Sequence, residues 1–395
     1  MGSGPPKPTR STQVQPTRTQ PKDFSYSPLQ SPDEIRVVTL VKGKRRQNPD
    51  SIQCYLAHGQ LRPPTDAYLK TPRGRSCEAE GTVLLNGRLT QYKALSYEWG
   101  SCDNKETIFL NGCEFKVWRN LYNALCHLRS PKEDLVLWID QLCINQNNLT
   151  ERGHQLRKMS QIYRSAHGVV LWLGLSQRVA AQLKIVAEAG RFTEKPVEAT
   201  MKEIYRCTIW RRAWIWQEIF FARNFLMQCG DQRVPGWYFV QTSIKLFPEL
   251  RNMPMSPQSS DLSKGLPGVL ALVALKHDEF DRTTRTSSFG NDLVELLLYA
   301  MADNVQCKNP RDFIYALMAI PDWKPGPWAY ITTDYSAPLR QLYEETVRYA
   351  AAKSYKTKRE DFALRLAKRL GLQIDAKSIE KLVEPILPPW RQHGT

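Results

Sequence analysis

The chain has 395 residues, of which 42% are hydrophobic, and carries a formal net charge of +16 at pH 7. That length accommodates one large domain with additions, or two domains with real cores. No apolar run approaches the ~20 residues that a membrane span needs, and the amino terminus lacks the apolar centre of a secretory signal. The nine cysteines are scattered and never form a CxxC pair, which excludes the usual zinc and disulfide patterns. We therefore expect a cytoplasmic protein.

The positive charge is concentrated towards the two ends of the chain. Residues 1–48 carry nine Lys or Arg against three acidic residues, and residues 353–371 carry seven against two. Residues 1–33 are rich in Pro, Thr, Ser and Gln, so we expect a disordered basic tail that buries too little apolar surface to offset its ordering entropy. No nucleic-acid-binding signature accompanies the basic ends. Solvated tails are therefore the favoured interpretation, and nucleic-acid binding is the weaker one.

Residues 34–91 are interpreted as a variable N-terminal preamble. A short strand is expected over residues 34–40, whereas residues 48–80 are expected to be irregular because prolines interrupt them. The core is expected to start after this preamble. Its first predicted elements are a buried strand over residues 92–97, a hairpin around Asn111-Gly112 and an amphipathic helix over residues 120–128.

The most regular stretch of the chain runs from Leu135 to Gly174. Two uninterrupted apolar runs, residues 135–139 and 169–173, indicate strands that are buried on both faces, as in a parallel sheet. Between them a helix capped by Thr150 has apolar residues at three- and four-residue steps. This order predicts a βαβ unit. The first strand of this unit is followed by the polar residues Asp140, Gln141, Asn145 and Gln146. Open α/β sheets bind ligands at this end of their strands.

Downstream of residue 174 the sequence predicts mostly helices. A Trp-rich helix is expected over residues 208–221, followed by a short strand over residues 225–227. Three further helices are expected near residues 291–301, 312–319 and 337–352. The resulting division of the chain is a disordered tail (1–33), the preamble (34–91), an α/β core (92–250), a loop-rich insertion (251–290), a helical part (291–352) and a charged helical tail (353–395).

Seven short boxes occur in a fixed order along the chain. They are Ser96 to Gly100 (SYEWG), Leu137 to Gln146 (LWIDQLCINQ), Glu151 to Tyr163, Val170 to Gly174 (VLWLG), Arg212 to Glu218, Arg311 to Leu317 and Asp334 to Ser336. Together these boxes resemble the fungal heterokaryon-incompatibility (HET) domain. The resemblance covers roughly residues 92–349, which is most of the chain.

The resemblance implies both a fold and a biological role. The implied fold is a TIR-like or flavodoxin-like parallel sheet core with helices on both faces, plus a helical C-terminal region. The implied role is fungal non-self recognition, in which activation triggers incompatibility-type cell death. Two alternatives stay open: the core could be an enzyme, or it could be a non-catalytic signalling module that self-associates or binds a partner protein.

The enzyme alternative centres on Glu218. HET domains look distantly like TIR domains, and in NAD-cleaving TIR enzymes the glutamate of a Trp-x-x-x-Glu helix is catalytic; Trp214 and Glu218 match that pattern. A carboxylate suits this reaction because splitting nicotinamide from ribose builds oxocarbenium character. NAD would be a substrate, and neither a cofactor nor a metal is required. The residues expected to bind ligand are Ser96, Tyr97, Trp99, Asp140, Asn145, Gln146, Arg152 and Arg212.

These residues also have structural interpretations. Glu218 could form an ion pair with a neighbouring arginine, namely Arg211, Arg212 or Arg223. The tryptophans are more typical of a core than of a cofactor platform, because aromatic side chains bury large areas. Asp140 and Asn145 could bond backbone amides at the end of a strand.

Overall fold

The computed structural model describes residues 24–43, 52–62, 82–101, 103–188, 194–247, 268–269, 273, 292–320, 331, 333–353 and 356–383. The predicted tail residues 1–23, most of the predicted insertion and residues 384–395 lie outside them. Residues 24–33, which the sequence places in the tail, lie on the folded core: Phe24 packs edge-to-face on Phe115, with ring centroids 5.4 Å apart.

Eleven strands within the described ranges form one mixed sheet. Its main path runs β11-β10-β9-β5-β8-β1-β2-β3-β4, with β6 paired to β2 and β7 to β6. The strands are β1 (Glu34–Leu40), β2 (Gln53–Leu61), β3 (Thr82–Leu85), β4 (Arg88–Gln91), β5 (Lys93–Tyr97), β6 (Lys105–Leu110), β7 (Cys113–Trp118), β8 (Leu135–Trp138), β9 (Gly168–Trp172), β10 (Phe225–Cys229) and β11 (Gln232–Pro235).

Along the chain, helices lie between strands of this sheet from β7 onwards, and further helices follow β11. None of those in the described ranges is long and apolar enough to cross a membrane. They are α1 (Arg119–Leu128), α2 (Asp140–Cys143), α3 (Leu149–Arg157), α4 (Met159–Ser165), α5 (Gln177–Ala187), α6 (Glu194–Tyr205), α7 (Ile215–Phe220), α8 (Gly236–Leu246), α9 (Leu293–Ala302), α10 (Asp312–Tyr315), α11 (Leu339–Lys353), α12 (Lys356–Leu370) and α13 (Ala376–Val383).

Four parallel strands form the centre of the sheet, in the order β8-β5-β9-β10. If these four strands are numbered along the chain, their order in the sheet is 2-1-3-4. The predicted strands over residues 92–97, 135–139 and 169–173 are confirmed to within two residues. Every residue of β9 is buried, which explains the uninterrupted apolar run. The predicted βαβ unit therefore encloses β5 between its two strands.

The N-terminal strands extend the parallel block on the other side of β8. β1, as predicted from residues 34–40, pairs antiparallel with β8 and also with β2. The expectation that residues 48–80 are irregular is wrong for residues 53–61, which form β2. β2 is held by a long antiparallel register with β1, from Glu34 opposite Gln60 to Leu40 opposite Cys54. Strand formation that depends on such a partner is difficult to predict from local composition.

The predicted Trp-rich helix over residues 208–221 is interrupted. A short 3₁₀ turn covers Thr208–Arg211, Arg212 has an extended backbone, and α7 begins at Ile215. Arg212 forms a β-bridge with Gln306, and the amide of Ala213 donates to the Gln306 carbonyl at 3.0 Å. Backbone hydrogen bonds to a distant segment thus replace the helical ones at this point.

The helix that follows β8 and α2 begins two residues earlier than predicted and has a different cap. Asn148 Oδ1 accepts a hydrogen bond from the Glu151 amide at 3.0 Å, so Asn148, and not Thr150, caps α3.

We expect Asn148→Ala to lower the free energy of unfolding by about 1 kcal/mol, because the Glu151 amide loses its hydrogen-bond acceptor. Urea denaturation measures this loss. Asn147→Ala, at an exposed neighbour, should change stability by less than about 0.5 kcal/mol, and equal losses would contradict the assignment.

Candidate functional site

Most of the predicted site residues converge where the parallel strands end. Ser96 and Tyr97 are the last residues of β5, Asp140 opens α2 directly after β8, and Glu218 lies on α7. We refer to six of these side chains as the Glu218 cluster: Ser96, Tyr97, Trp99, Asp140, Arg212 and Glu218.

Glu218 is the most deeply placed acid of the cluster, with only 2% of its surface exposed. The Ser96 hydroxyl donates to its Oε2. The Arg212 guanidinium approaches both carboxylate oxygens, with Nη1 at 3.2 Å from Oε2 and Nη2 at 3.4 Å from Oε1. A two-pronged guanidinium contact of this kind fixes the orientation of the carboxylate.

Asp140 is held by donors from the end of β5 and from its own loop. Trp99 Nε1 donates to Oδ2 at 2.8 Å, and the Gln141 amide donates to Oδ1 at 2.7 Å. The Tyr97 hydroxyl also interacts with Asp140 and lies 3.3 Å from Gln141 Oε1. Gln146 Nε2 donates to the Asp140 carbonyl at 2.9 Å. Asp140 therefore binds a loop amide, as its structural interpretation predicted, while also belonging to the cluster.

Burial dominates the electrostatics of the cluster. It raises the pKa of Glu218, against the opposing effects of Arg212 and the Ser96 hydrogen bond, and the nearby Asp140 raises it further. Burial likewise raises the pKa of Asp140, opposed first by Arg212 and then by Trp99. Two carboxyl groups share one guanidinium here, so one of them retains its proton to a higher pH than a solvated carboxylic acid does.

Two predicted ligand-binding residues lie elsewhere. The Arg152 guanidinium lies 5.1 Å from the ring centroid of Tyr335, beside Asp312. Asn145 bonds its own loop: its amide donates to Glu151 Oε1 at 2.8 Å and its side chain accepts from the Asn147 amide at 3.2 Å. Both are expected binding residues whose observed contacts are structural.

The sequence did not predict that Tyr163 lies close to Glu218 and Asp140. Tyr163 on α4 is buried, and its pKa is raised by burial and by the charges of Glu218 and Asp140. Its hydroxyl donates to the Leu95 carbonyl at 3.2 Å, which anchors α4 to β5. Its signal in the sequence was its place on the apolar face of the predicted helix, which indicated core packing only.

The side chains of the cluster differ in how far they are exposed. Ser96 and Tyr97 are each 1% exposed, whereas the Arg212 side chain is 22% exposed and Trp99 and Asp140 are half-buried. Trp99, Asp140 and Arg212 are therefore the partly exposed members of the cluster. Glu218 is more deeply buried, with 3% of its side chain exposed.

The residues that form this arrangement lie within a range that matches a known family model. Residues 92–218 match the family model described as heterokaryon incompatibility protein (HET). The matched range, called the HET region below, begins one residue before β5 and ends on Glu218. It therefore contains every side chain of the Glu218 cluster.

A curated relative carries the same description. The chain is 28% identical over 363 residues to "Heterokaryon incompatibility protein 6, OR allele" of Neurospora crassa. The match covers 76% of this chain and 52% of the relative, so the chain spans about half of the relative's length. No solved structure matches the chain.

The tryptophans of the HET region are mostly core residues. Trp138, Trp172, Trp210 and Trp216 are each at most 2% exposed. Trp214 is half-buried, and its side chain hydrogen-bonds with Asp312 of α10. Trp99, the tryptophan of the Glu218 cluster, is half-buried and so differs from these core tryptophans.

We expect Trp99→Phe to destabilise the protein in a pH-dependent way. Loss of the indole donor raises the pKa of Asp140 further, because that hydrogen bond favours the ionised carboxylate. The free energy of unfolding should fall by about 1 kcal/mol at pH 7. The loss should shrink at acidic pH, where Asp140 is protonated in both variants. Urea denaturation at pH 7 and pH 4 measures the difference.

The neighbouring Trp118 provides the control for this prediction. Its ring centroid is 6.5 Å from that of Trp99, and its buried indole N–H has no hydrogen-bond partner. Trp118→Phe should therefore lack the pH-dependent component. An equal loss for Trp99→Phe at both pH values would contradict the role of the indole in holding the Asp140 carboxylate.

Proposed function

We propose that this chain acts in fungal non-self recognition, inside the cell, and that its activation leads to incompatibility-type cell death. The match of the HET region and the likeness to a Neurospora heterokaryon incompatibility protein support this role. We also propose that a partner protein, or self-association of the chain, triggers this activation.

We propose further that the Glu218 cluster cleaves NAD or a related nucleotide. The observation that carries this proposal is the meeting of Glu218, Ser96 and Arg212 in one buried contact at the carboxyl ends of the parallel strands. The strand order β8-β5-β9-β10 corresponds to the start of the flavodoxin-like arrangement, in which ligands bind between the first and third strands. Ser96 lies on β5, the first of these strands, which supports a TIR-like or flavodoxin-like core.

The chemistry assigned to each group follows from its charge. The bond between ribose C1′ and the nicotinamide nitrogen breaks, and its electron pair leaves with nicotinamide. The ionised Glu218 carboxylate stabilises the positive charge that develops on the ribose, as carboxylates do in glycoside hydrolysis. Water then adds to C1′ and releases a proton, which gives ADP-ribose. Arg212, displaced from Glu218, pairs with the diphosphate, and the Trp99 indole stacks on a planar base.

The closed state of the cluster favours a second candidate function. Glu218 pairs with Arg212, one of the three arginines considered as its structural partner, and is 3% exposed at its side chain. A carboxylate held in this way is also what a non-catalytic signalling module would contain, with Glu218 joining α7 to β5. Self-association or partner binding would then be the whole function. Nucleic-acid binding by the basic ends stays a prediction.

The test is incubation of the purified full chain with NAD, followed by chromatographic quantification of nicotinamide and ADP-ribose. The protein is assayed as a monomer and at concentrations at which light scattering detects assemblies. Release of both products in equal amounts supports the enzyme. A folded protein that releases neither, in either state, overturns the enzyme proposal and favours the signalling module.

A further inference from the structure

The segment before β1 contacts the helix that carries Asp140. Residues 24–28, which we call the strap, lie outside the helices and strands. The Tyr26 hydroxyl donates to the Leu142 carbonyl at 3.1 Å, and the Ser27 carbonyl accepts from Arg36 Nη2 at 2.6 Å. The rings of Phe24 and Tyr26 pack edge-to-face, with centroids 4.9 Å apart.

These contacts cap the C-terminus of α2. This helix has only four residues, so it cannot be stable alone, and its last carbonyl groups have no intrahelical donor. Tyr26 satisfies the carbonyl of Leu142, and Arg36 Nη1 satisfies that of Cys143 at 3.2 Å. A guanidinium at a helix C-terminus also interacts favourably with the helix dipole. The first residue of the same one-turn helix is Asp140.

A buried ion pair holds the loop that follows α2. Arg36 is fully buried and binds both carboxylate oxygens of Glu151, at 2.6 and 3.0 Å. Glu151 Oε1 in turn accepts the Asn145 amide at 2.8 Å. The Arg36 guanidinium lies 5.0 Å from the centroid of the Tyr26 ring, so this ring covers the ion pair.

We infer that the strap and the Arg36–Glu151 pair position Asp140, and that release of the strap frees residues 140–148. Three backbone groups within these residues depend on them: the carbonyl groups of Leu142 and Cys143, and the amide of Asn145. The N-terminal segment thereby controls the geometry of the Glu218 cluster from outside the HET region. This control is a property of the fold and does not require that the cluster be catalytic.

Hydrogen–deuterium exchange of the full chain tests the inference. Tyr26→Ala should accelerate amide exchange across residues 140–148 at least about tenfold, because the hydrogen bond to the Leu142 carbonyl, the ring cover over Arg36 and the ring contact with Phe24 are lost. Exchange in α11 should change by less than about twofold. Tyr26→Phe keeps the ring and loses only the hydroxyl, so roughly threefold acceleration is expected.

The matched control is Ser25→Ala, at an exposed strap position between the two rings. It should leave exchange over residues 140–148 unchanged. Two results would overturn the inference: unchanged exchange of this loop in Tyr26→Ala, or acceleration of the same size in α11, which would assign Tyr26 a general role in stability. The milder Tyr26→Phe variant keeps the test decisive if Tyr26→Ala fails to fold. Because exchange is independent of NAD, either result is separable from failure of the proposed activity.

Discussion

Glu218→Gln is expected to release nicotinamide from NAD at least about 10³-fold more slowly than the parent chain, provided that the cluster is catalytic. Electrostatic stabilisation of a transition state is commonly worth this much, and a neutral amide cannot supply it. Because the carboxylate must be ionised, the parent rate should rise with pH. Burial raises the pKa of Glu218, so this rise should lie above the pH of about 4.3 at which a solvated glutamate titrates. The variant should lack it.

Glu198→Gln provides the matched control for this experiment. Glu198 lies on α6 in an exposed pair with Lys202, 2.6 Å away, so its loss should leave the rate within about twofold of the parent. Circular dichroism of all three proteins checks that they fold alike. If a folded Glu218→Gln protein retains more than about a tenth of the parent rate, Glu218 is a structural partner of Arg212 and the carboxylate of the reaction lies elsewhere.

Arg36→Met is expected to lower the free energy of unfolding by about 3–5 kcal/mol, the largest effect on stability that we predict. The side chains of Arg36 and Glu151 are 0% and 9% exposed, so the variant leaves a carboxylate buried without its counter-charge. It also removes the donors to the carbonyl groups of Ser27 and Cys143. Urea denaturation followed by circular dichroism measures the loss.

The double variant Arg36→Met/Glu151→Gln separates the charge effect from lost packing. Glutamine at position 151 can still accept the Asn145 amide, but it has no charge to bury. The double variant should therefore be about 2 kcal/mol more stable than Arg36→Met alone. A single variant that loses less than about 1 kcal/mol would contradict the burial of an uncompensated charge.

The convergence of the cluster was predictable because it depends on strand ends. The apolar runs before Ser96 and Asp140 predicted buried parallel strands, and the carboxyl ends of such strands meet at one side of a sheet. The position of Glu218 near them came from the family resemblance. The identity of its partner did not, because Arg211, Arg212 and Arg223 are equivalent by sequence distance alone. The extended backbone at Arg212, set by its bridge to Gln306, decides between them.

The contacts that hold Asp140 were less predictable because they join distant segments. Arg36 and Glu151 are 115 positions apart, and no local pattern pairs them. A charged residue inside the apolar run of β1, together with a glutamate in the first turn of α3, was the available signal. Arg152 was assigned to ligand binding from its box, but the C-terminal segment supplies Tyr335 as its neighbour. Interactions of this kind arise from tertiary structure, which overrides local propensity.

The pairing of β1 with β8, and of β10 with β9, sets limits on how the protein can be divided. Excision of the HET region at residues 92 and 218 would remove β1 from β8, β10 from β9 and β2 from β6. β8, β9 and β6 would then present unpaired backbone amides and carbonyl groups, which recruit strands from other molecules. A fragment designed to fold on its own should therefore extend beyond residues 92–218 and include β1, β2 and β10.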